Sequence, residues 1–374
     1  VDTERRTVTV RPPAPRHTAT RPGGEPPADA PHVLPYDELV LAPGSITRAL
    51  PIPGLAENGI GFRTVEEAIG LRNHVLEQLD IAASTRDTAV RDAALTFLVV
   101  GAGYAGVEAL AELEDMARHA CRSYPSLRPD EQKWLLVEAT DRVLPEAGPD
   151  MGAHALRELR RRNVDVRLTT RLESCTGRTA VLSDGTRHPT RTIVWTAGVR
   201  PHPVLASFGV PLDDEGRVRC APDLRVEDTP HVWAAGDAAA VPDPTAPDPG
   251  TRCAPNAQHA VHQARRLADN IAAVLTGGPT ADYRHRQTGA VASLGLHRGI
   301  ARVRGRRLTG RAAWLVHRVY HLLRMPTGNR KARVLAEWTL AGLFRREIVS
   351  LGSLEHPRAG FELAARTPRD PEDA

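Results

Sequence analysis

The stretch "FLVVGAGYAGVEALAEL", residues 97–113, decides how the rest of the chain is read. A short apolar run, Phe97 to Val100, leads into Gly101, Gly103 and Gly106, and a helical pattern follows. Gly101 permits a tight turn. Gly103 lets backbone approach a pyrophosphate, and Gly106 lets the helix pack close on the strand. Tyr104 and Ala105 complete the turn, and the helix N-terminus offers N–H groups and a positive dipole end to phosphates. A bare G-x-G-x-x-G is weak. A strand before it and a helix after it are the context that makes it a dinucleotide fingerprint. The competing reading is a glycine-rich structural turn.

The next strand, "KWLLVEA" at 133–139, ends on Glu138. An acid is expected there to hold ribose hydroxyls, although it lies beyond the usual spacing of about 20 residues. A loop broken by Pro125 and Pro129 absorbs the difference. An acid at that point repels a 2′-phosphate, so NADH is favoured over NADPH, with Arg142 nearby pulling the other way.

The composition bounds what such a unit belongs to. The chain has 374 residues, 41% hydrophobic and 25% charged, so two or three globular domains are expected. Net charge is +4, and Lys133 and Lys331 are the only lysines. Such arginine dominance reads as a coding bias. Arginines crowd residues 302–346, where Glu337 is the only acid. Such a cluster suits an anionic surface. No aromatic-basic recognition module accompanies it, so nucleic acid is not expected. Cys121, Cys175, Cys220 and Cys253 are widely spaced, with no C-x-x-C and no zinc spacing, so no metal site is expected and a reducing compartment fits. No apolar run is long enough to cross a bilayer.

Residues 11–35, rich in Pro, Gly and Ala, read as a loop or hairpin insertion. "YDELVLAPGS", 36–45, reads as a buried strand running into a Pro43-Gly44 turn. Residues 64–84 carry helical spacing. "AVLSDGTRHPTRTIVWTAG" reads as a hairpin turned at Asp184-Gly185 and ending in a buried strand. "VWAAGDAAAV", 232–241, reads as a strand whose Gly236-Asp237 falls at a carboxyl end, where open α/β sheets bind ligands. Taken alone, an ordinary strand-to-loop Asp competes evenly. A helix is expected over 254–275, strands near 290–303, and two apolar-basic segments beyond. In "AAWLVHRVYHLLRM", Leu315, Val316, Val319, Tyr320, Leu322 and Leu323 share one face; His317, Arg318, His321 and Arg324 share the other. The wheel alone favours a core helix, but the arginine density suits a helix lying in a membrane interface.

"YDELVLAPGS", "GAGYAGVE", "WTAGVRP" and "VWAAGD" occur in this order. The set resembles the flavoprotein reductases that bind FAD and a pyridine nucleotide in tandem, and it covers nearly the whole chain. The C-terminal third resembles the type II NADH dehydrogenases, single-chain NADH:quinone oxidoreductases. This resemblance implies an α/β chain: tandem Rossmann-like dinucleotide-binding domains in three layers, the FAD domain incomplete, plus a C-terminal α+β membrane-associating region. Residues 1–90 and 205–278 would form the FAD domain, 91–204 the NADH domain and 279–374 the C-terminal region. It also implies that Pro43, Gly44, Gly236 and Asp237 touch FAD. Ala197 and Gly198 would border the nicotinamide nucleotide. In "CAPNAQHAVHQA", Ala257, Gln258 and Ala260 match a segment that lies against the flavin and beside the quinone, while the second glutamine position holds His262, with Gln263 one place later. Glu108 and Gln258 are the catalytic candidates, Glu108 lying near the nicotinamide by resemblance. A helix-face glutamate is the bland alternative for Glu108.

The activity implied is transfer of electrons from NADH through FAD to a membrane quinone, by a peripheral protein on the cytoplasmic face of the membrane, with a homodimer left open. The family's first glycine fingerprint has no counterpart here, and "VDTERRTVTV" matches a point inside its FAD domain. A non-catalytic NADH-binding remnant or gene fragment therefore stays open as a second class. A soluble flavoprotein reductase and a sulfide:quinone reductase are the enzyme alternatives, although the cysteines show no redox pairing in sequence.

Overall fold

The computed structural model describes residues 1–10, 31–246, 248, 250–285 and 289–344. Most of the Pro/Gly-rich 11–35 segment, the end of the second apolar-basic segment and the acidic tail lie outside the described residues. The chain divides into two compact units, Val1–Ile46 with Val199–Gln287, and Thr47–Gly198 with Thr288–Ala374.

The second unit is built on a five-stranded parallel sheet. Its order is Gly59–Gly61, Thr192–Trp195, Thr96–Val100, Lys133–Val137, Val164–Arg167. Thr96–Val100 is buried along its whole length because both faces are covered. The strand's period of two divides it between two cores. Phe97 and Val99 join helices Val65–Ser84 and Tyr104–Ala120, while Leu98 and Val100 meet Leu172, Ala180 and Leu182 of a small antiparallel sheet. Helices, parallel sheet and antiparallel sheet thus make three layers. Each such buried side chain contributes about 2 kcal/mol of apolar burial. Phe97 lies in register with Trp134, and their rings stack with centroids 4.3 Å apart. Helix Val65–Ser84 starts at a capping box: Thr64 Oγ1 accepts from Glu67 N–H and Glu67 Oε2 accepts from Thr64 N–H.

The C-terminal residues of this unit form an antiparallel meander, Gly289–Ser293, Gly299–Val303 and Arg306–Thr309, followed by helices Gly310–Arg324 and Gly328–Leu343. Arg304 and Gly305, both at positive φ, close the second hairpin in two residues. Helix Tyr104–Ala120 holds the meander through its acids. Buried Glu114 pairs with Arg162, whose guanidinium also donates to Ala111 O at 2.8 Å and Leu294 O at 2.6 Å. Asp115 Oδ2 accepts from Leu296 N–H at 2.6 Å.

In the first unit, Thr7–Val10 pairs antiparallel with His32–Pro35, and Leu39–Leu41 runs parallel to Val232–Ala234. Buried Trp233 donates its indole N–H to Glu38 Oε2 at 2.6 Å. The strand expected over 232–241 is interrupted. Gly236 at φ +74 turns the chain through a 3-10 segment, Gly236–Ala238, before Ala239–Ala240 resumes pairing. The helix expected from 254 starts at Ala257, because the Asn256 side chain caps it by accepting from His259 N–H at 2.9 Å.

One histidine ties helix to sheet. His74 Nε2 sits 3.0 Å from Thr192 Oγ1. Burial pushes this imidazole below its ordinary 6.5, against a smaller opposing pull from Glu77. The unfolded chain therefore takes up the proton first, so stability is lost as pH falls through 6.5 toward the lower folded value. His74→Gln keeps a polar partner for Thr192 and removes the proton. Urea unfolding at pH 7.5 and pH 5 should show a smaller acid loss of stability in the variant than in the parent, and an equal loss would contradict the assignment.

Candidate functional site

The parallel register brings the carboxyl ends of Thr96–Val100, Lys133–Val137 and Thr192–Trp195 to one edge. Three of the segments singled out from sequence therefore meet there. Gly101 takes φ +104, and its N–H donates to Val137 O at 2.8 Å. A Cβ on Gly106 would lie 1.8 Å from Gly101 O and 2.6 Å from Thr196 Oγ1. The helix can start this close to the strand only because residue 106 has no side chain. Thr196 Oγ1 donates toward Val100 O at 2.8 Å, which seats "TAG" beside "GAG". Ala197 leads into Gly198 at φ +92.

Glu138 reaches back into the turn. Its Oε2 accepts from Ala102 N–H at 2.6 Å, and its Oε1 accepts from Thr140 N–H at 2.8 Å. The exposed Arg142 pairs with Asp141 at 2.8 Å. Gly103 caps the helix without a side chain, a Cβ there would meet nothing within 4 Å, and the first turn holds no acid. The N–H groups of Tyr104, Ala105 and Gly106 thus open a helix N-terminus with no capping side chain, the donor set a pyrophosphate needs. The Tyr104 hydroxyl is buried with no hydrogen-bond partner among the described residues, and burial, then Glu146 and Glu108, push its pKa up to about 12.

The second constellation lies in the other unit. Leu39–Leu41 and Val232–Ala234 are parallel, so the Pro43-Gly44 turn and Gly236-Asp237 leave the same edge. Ser45 Oγ donates to Asp237 Oδ2 at 2.6 Å. Gly44 and Gly236 both take positive φ, 72 and 74. Ala257 and Gln258 begin the helix whose first turn covers the Gly236 turn, with Ala260 Cβ 3.4 Å from where a Cβ on Gly236 would stand. Gln263, absent from the sequence-based set, is buried, and its Oε1 accepts the Gly236 N–H at 2.8 Å. His262, at the family's second glutamine position, stacks on His285 with centroids 4.0 Å apart. The one-residue offset between His262 and Gln263 was the available signal.

Glu108 lines a cavity of about 520 Å³ between the fingerprint helix and the two C-terminal helices. Its Oε1 accepts from Ser293 N–H at 2.8 Å and lies 3.0 Å from His317 Nε2. That nitrogen is at ion-pair distance without its N–H being directed at the oxygen. Glu112 Oε1 accepts from Ser293 Oγ at 2.9 Å. The rings of His317 and His321 are 4.5 Å apart, and burial, then His317, lowers the His321 pKa. Arg318 lies between Trp314 and Trp338, 4.2 and 4.9 Å from their rings. The helix Gly310–Arg324 therefore turns part of its polar face inward and part of its apolar face outward, with Val316, Tyr320 and Leu322 half-buried and His321 and Arg324 exposed. His317 and Arg318 face the cavity, while Leu315, Val319 and Leu323, at four-residue spacing, are 57%, 42% and 66% exposed. A core helix would present the opposite face. Among the described residues no helix is long and apolar enough to cross a membrane.

The four cysteines are all buried and free. Burial pushes Cys220 up to about 12 and Cys253 up to about 11, away from the thiolate that dithiol chemistry requires.

Comparison with known proteins gives the family and the fold. The pyridine nucleotide-disulphide oxidoreductase family matches residues 5–264. A type II NADH:quinone oxidoreductase of Mycobacterium tuberculosis, NdhA, is 30% identical over 327 residues, covering 84% of this chain and 68% of the relative. The chain belongs to the type II NADH:quinone oxidoreductases of that family. Another type II relative, from Staphylococcus epidermidis, is 31% identical over 294 residues, 77% of this chain and 70% of its own. The fold matches that of the Plasmodium falciparum protein NDH2, solved in complex with NADH, with TM-score 0.81 and 14% identity over 93% of this chain and 83% of that one. A nucleotide that binds at the fingerprint turn needs that turn formed. Gly106→Ala should lower the unfolding free energy by about 3 kcal/mol or more, because backbone itself blocks the added methyl. Denaturant unfolding with and without NADH measures both the loss and the weakened nucleotide response.

Proposed function

We propose that this chain passes electrons from NADH through FAD to a membrane quinone. The observation that carries the reading is the Glu108–His317 cavity, roofed by a helix whose apolar stripe faces outward. The fingerprint turn, with its uncapped helix N-terminus and Glu138, fits NADH. The left-handed glycines Gly44 and Gly236 beside Asp237 and Ser45 fit FAD, with Ala257 and Gln258 on the adjoining helix turn. FAD, when bound, supplies hydride acceptance and two-electron delivery.

The chain's own residues do the rest. Glu138 orients the adenosine ribose and repels a 2′-phosphate. Gly101 and Gly103 let the pyrophosphate approach backbone, and Ala197-Gly198 limits the nicotinamide end. A quinone reduced by two electrons needs two protons. Glu108, fixed by Ser293 N–H and facing His317, is placed to hold one at its carboxylate. Exposed Leu315, Val319 and Leu323 would seat the protein in the interface of the membrane, on the cytoplasmic side where NADH is available. The buried, high-pKa cysteines argue against a sulfide:quinone reductase.

Steady-state NADH oxidation with a short-chain quinone tests the reading. Glu108→Gln should lower kcat about 10²-fold while leaving NADH affinity within a few-fold. Unchanged turnover would remove Glu108 from the reaction. The membrane part has its own readout. Replacing Leu315, Val319 and Leu323 together by Ser should weaken sedimentation with phospholipid vesicles by about tenfold or more, without affecting NADH binding.

A further inference from the structure

A second cavity, about 360 Å³, lies between helix Pro149–Arg161 and the C-terminal hairpin. Its lining includes His154, Arg157, Arg161, Arg298, Thr309 and Gly310; the only acid is Glu158, which Arg161 holds at 2.7 Å. Arg298 leans on Asp115 at 3.8 Å. Arg157 has no partner among the described residues.

The neighbouring hairpin adds positive charge. Arg302 and Arg307 stand directly opposite each other in the antiparallel register, on the same face of the sheet. Like charges so placed destabilise a strand pair, and neither has a carboxylate partner among the described residues. The Arg302 guanidinium turns toward Gly148, 3.5 Å from where a Cβ there would stand. Arg307 is near enough, with Arg157 and Arg161, to help burial lower the His154 pKa. The 15-residue helix Gly310–Arg324 starts at this cavity with neither a side-chain cap nor an acid in its first turn. Two packed elements thus face each other with more arginines than carboxylates among the described residues.

We infer that this cavity is a binding site for a phosphate-bearing anion. Arginine forks match phosphate oxygens in pairs, and the open helix N-terminus adds donors. The phosphate is either a phospholipid headgroup or a soluble phosphate ester. The lipid source rests on the proposed membrane reading; the phosphate chemistry does not.

The test compares the parent with an Arg157→Ser/Arg307→Ser double variant, without any activity assay. Against chloride at matched ionic strength, about 10 mM inorganic phosphate should raise the parent Tm by about 3 °C and the variant's hardly at all. In low-salt, phosphate-free buffer the variant should be at least as stable as the parent, because an opposed like-charge pair has gone. Vesicles separate the sources. If lipid is the ligand, vesicles of phosphatidylcholine with phosphatidylglycerol should bind the parent about 30-fold more tightly than the variant. An Arg171→Ser/Arg187→Ser control, with the same charge change elsewhere, should bind as the parent does. Equal vesicle binding with a lost phosphate response would mean a soluble phosphate ester. A parent with no phosphate response beyond chloride, or a variant that keeps the full response, overturns the site. Arg157→Gln, exposed on its helix, carries the same comparison should the double variant fail to fold.

Discussion

The helix Tyr104–Ala120 is held at both ends, and the arrangement of its unit depends on that. At its start, the absence of a side chain at Gly106 lets it approach Gly101 O. Farther along, buried Glu114 meets Arg162, which bridges to the carbonyls of Ala111 and Leu294. Breaking a buried pair by removing one partner costs about 3–5 kcal/mol, since the other charge is stranded. Because Arg162 follows helix Pro149–Arg161 and Leu294 follows the first strand of the meander, one ion pair ties three parts of the unit. Glu108, Glu112 and Asp115 project from the same helix and each bonds the Ser293–Leu296 segment, so Ser293 presents its N–H to Glu108. A single helix thus carries the nucleotide turn at one end and the acidic group of the cavity one turn on.

The helix Gly310–Arg324 shows how a hydrophobic pattern can be read correctly and still leave its direction open. Its two faces were legible from spacing alone. Which face points inward was not, because periodicity is blind to the partner. The partner is Glu108, more than 200 positions away, whose Oε1 lies 3.0 Å from His317 Nε2 where both line the cavity. The Trp314–Arg318–Trp338 contact then lets a cation sit over aromatic faces between the two C-terminal helices. The result is an apolar stripe of Leu315, Val319 and Leu323 that no other described residue covers, near a surface rich in arginine.

The parts of the site fixed by local geometry were the ones legible in the sequence. Glycines 101 and 106 announce a strand-turn-helix because no other residue fits there, and Glu138 falls at the matching strand end. Gly236 was also visible, but not that it would end the strand at Ala234. Ser45 and Ser293 were not singled out, Gln263 was seen only as an offset glutamine and His317 only as part of a polar face, because each works through a distant partner: Asp237, Glu108 and Glu112, Gly236, and Glu108 again. The stretch from Thr47 shows a related limit. Gly59–Gly61 adds the edge strand of the parallel sheet, a pairing of three residues that carries no pattern of its own.

The central claim is that these two nucleotide-type constellations serve one electron path to a quinone. Anaerobic absorbance spectroscopy of the purified chain, supplied with FAD, addresses it most directly. The account predicts flavin bands that stay with the protein through gel filtration, bleach on adding NADH and return on adding a quinone. A protein that binds NADH but retains no flavin, or whose NADH-reduced flavin is not reoxidised by quinone, would contradict it.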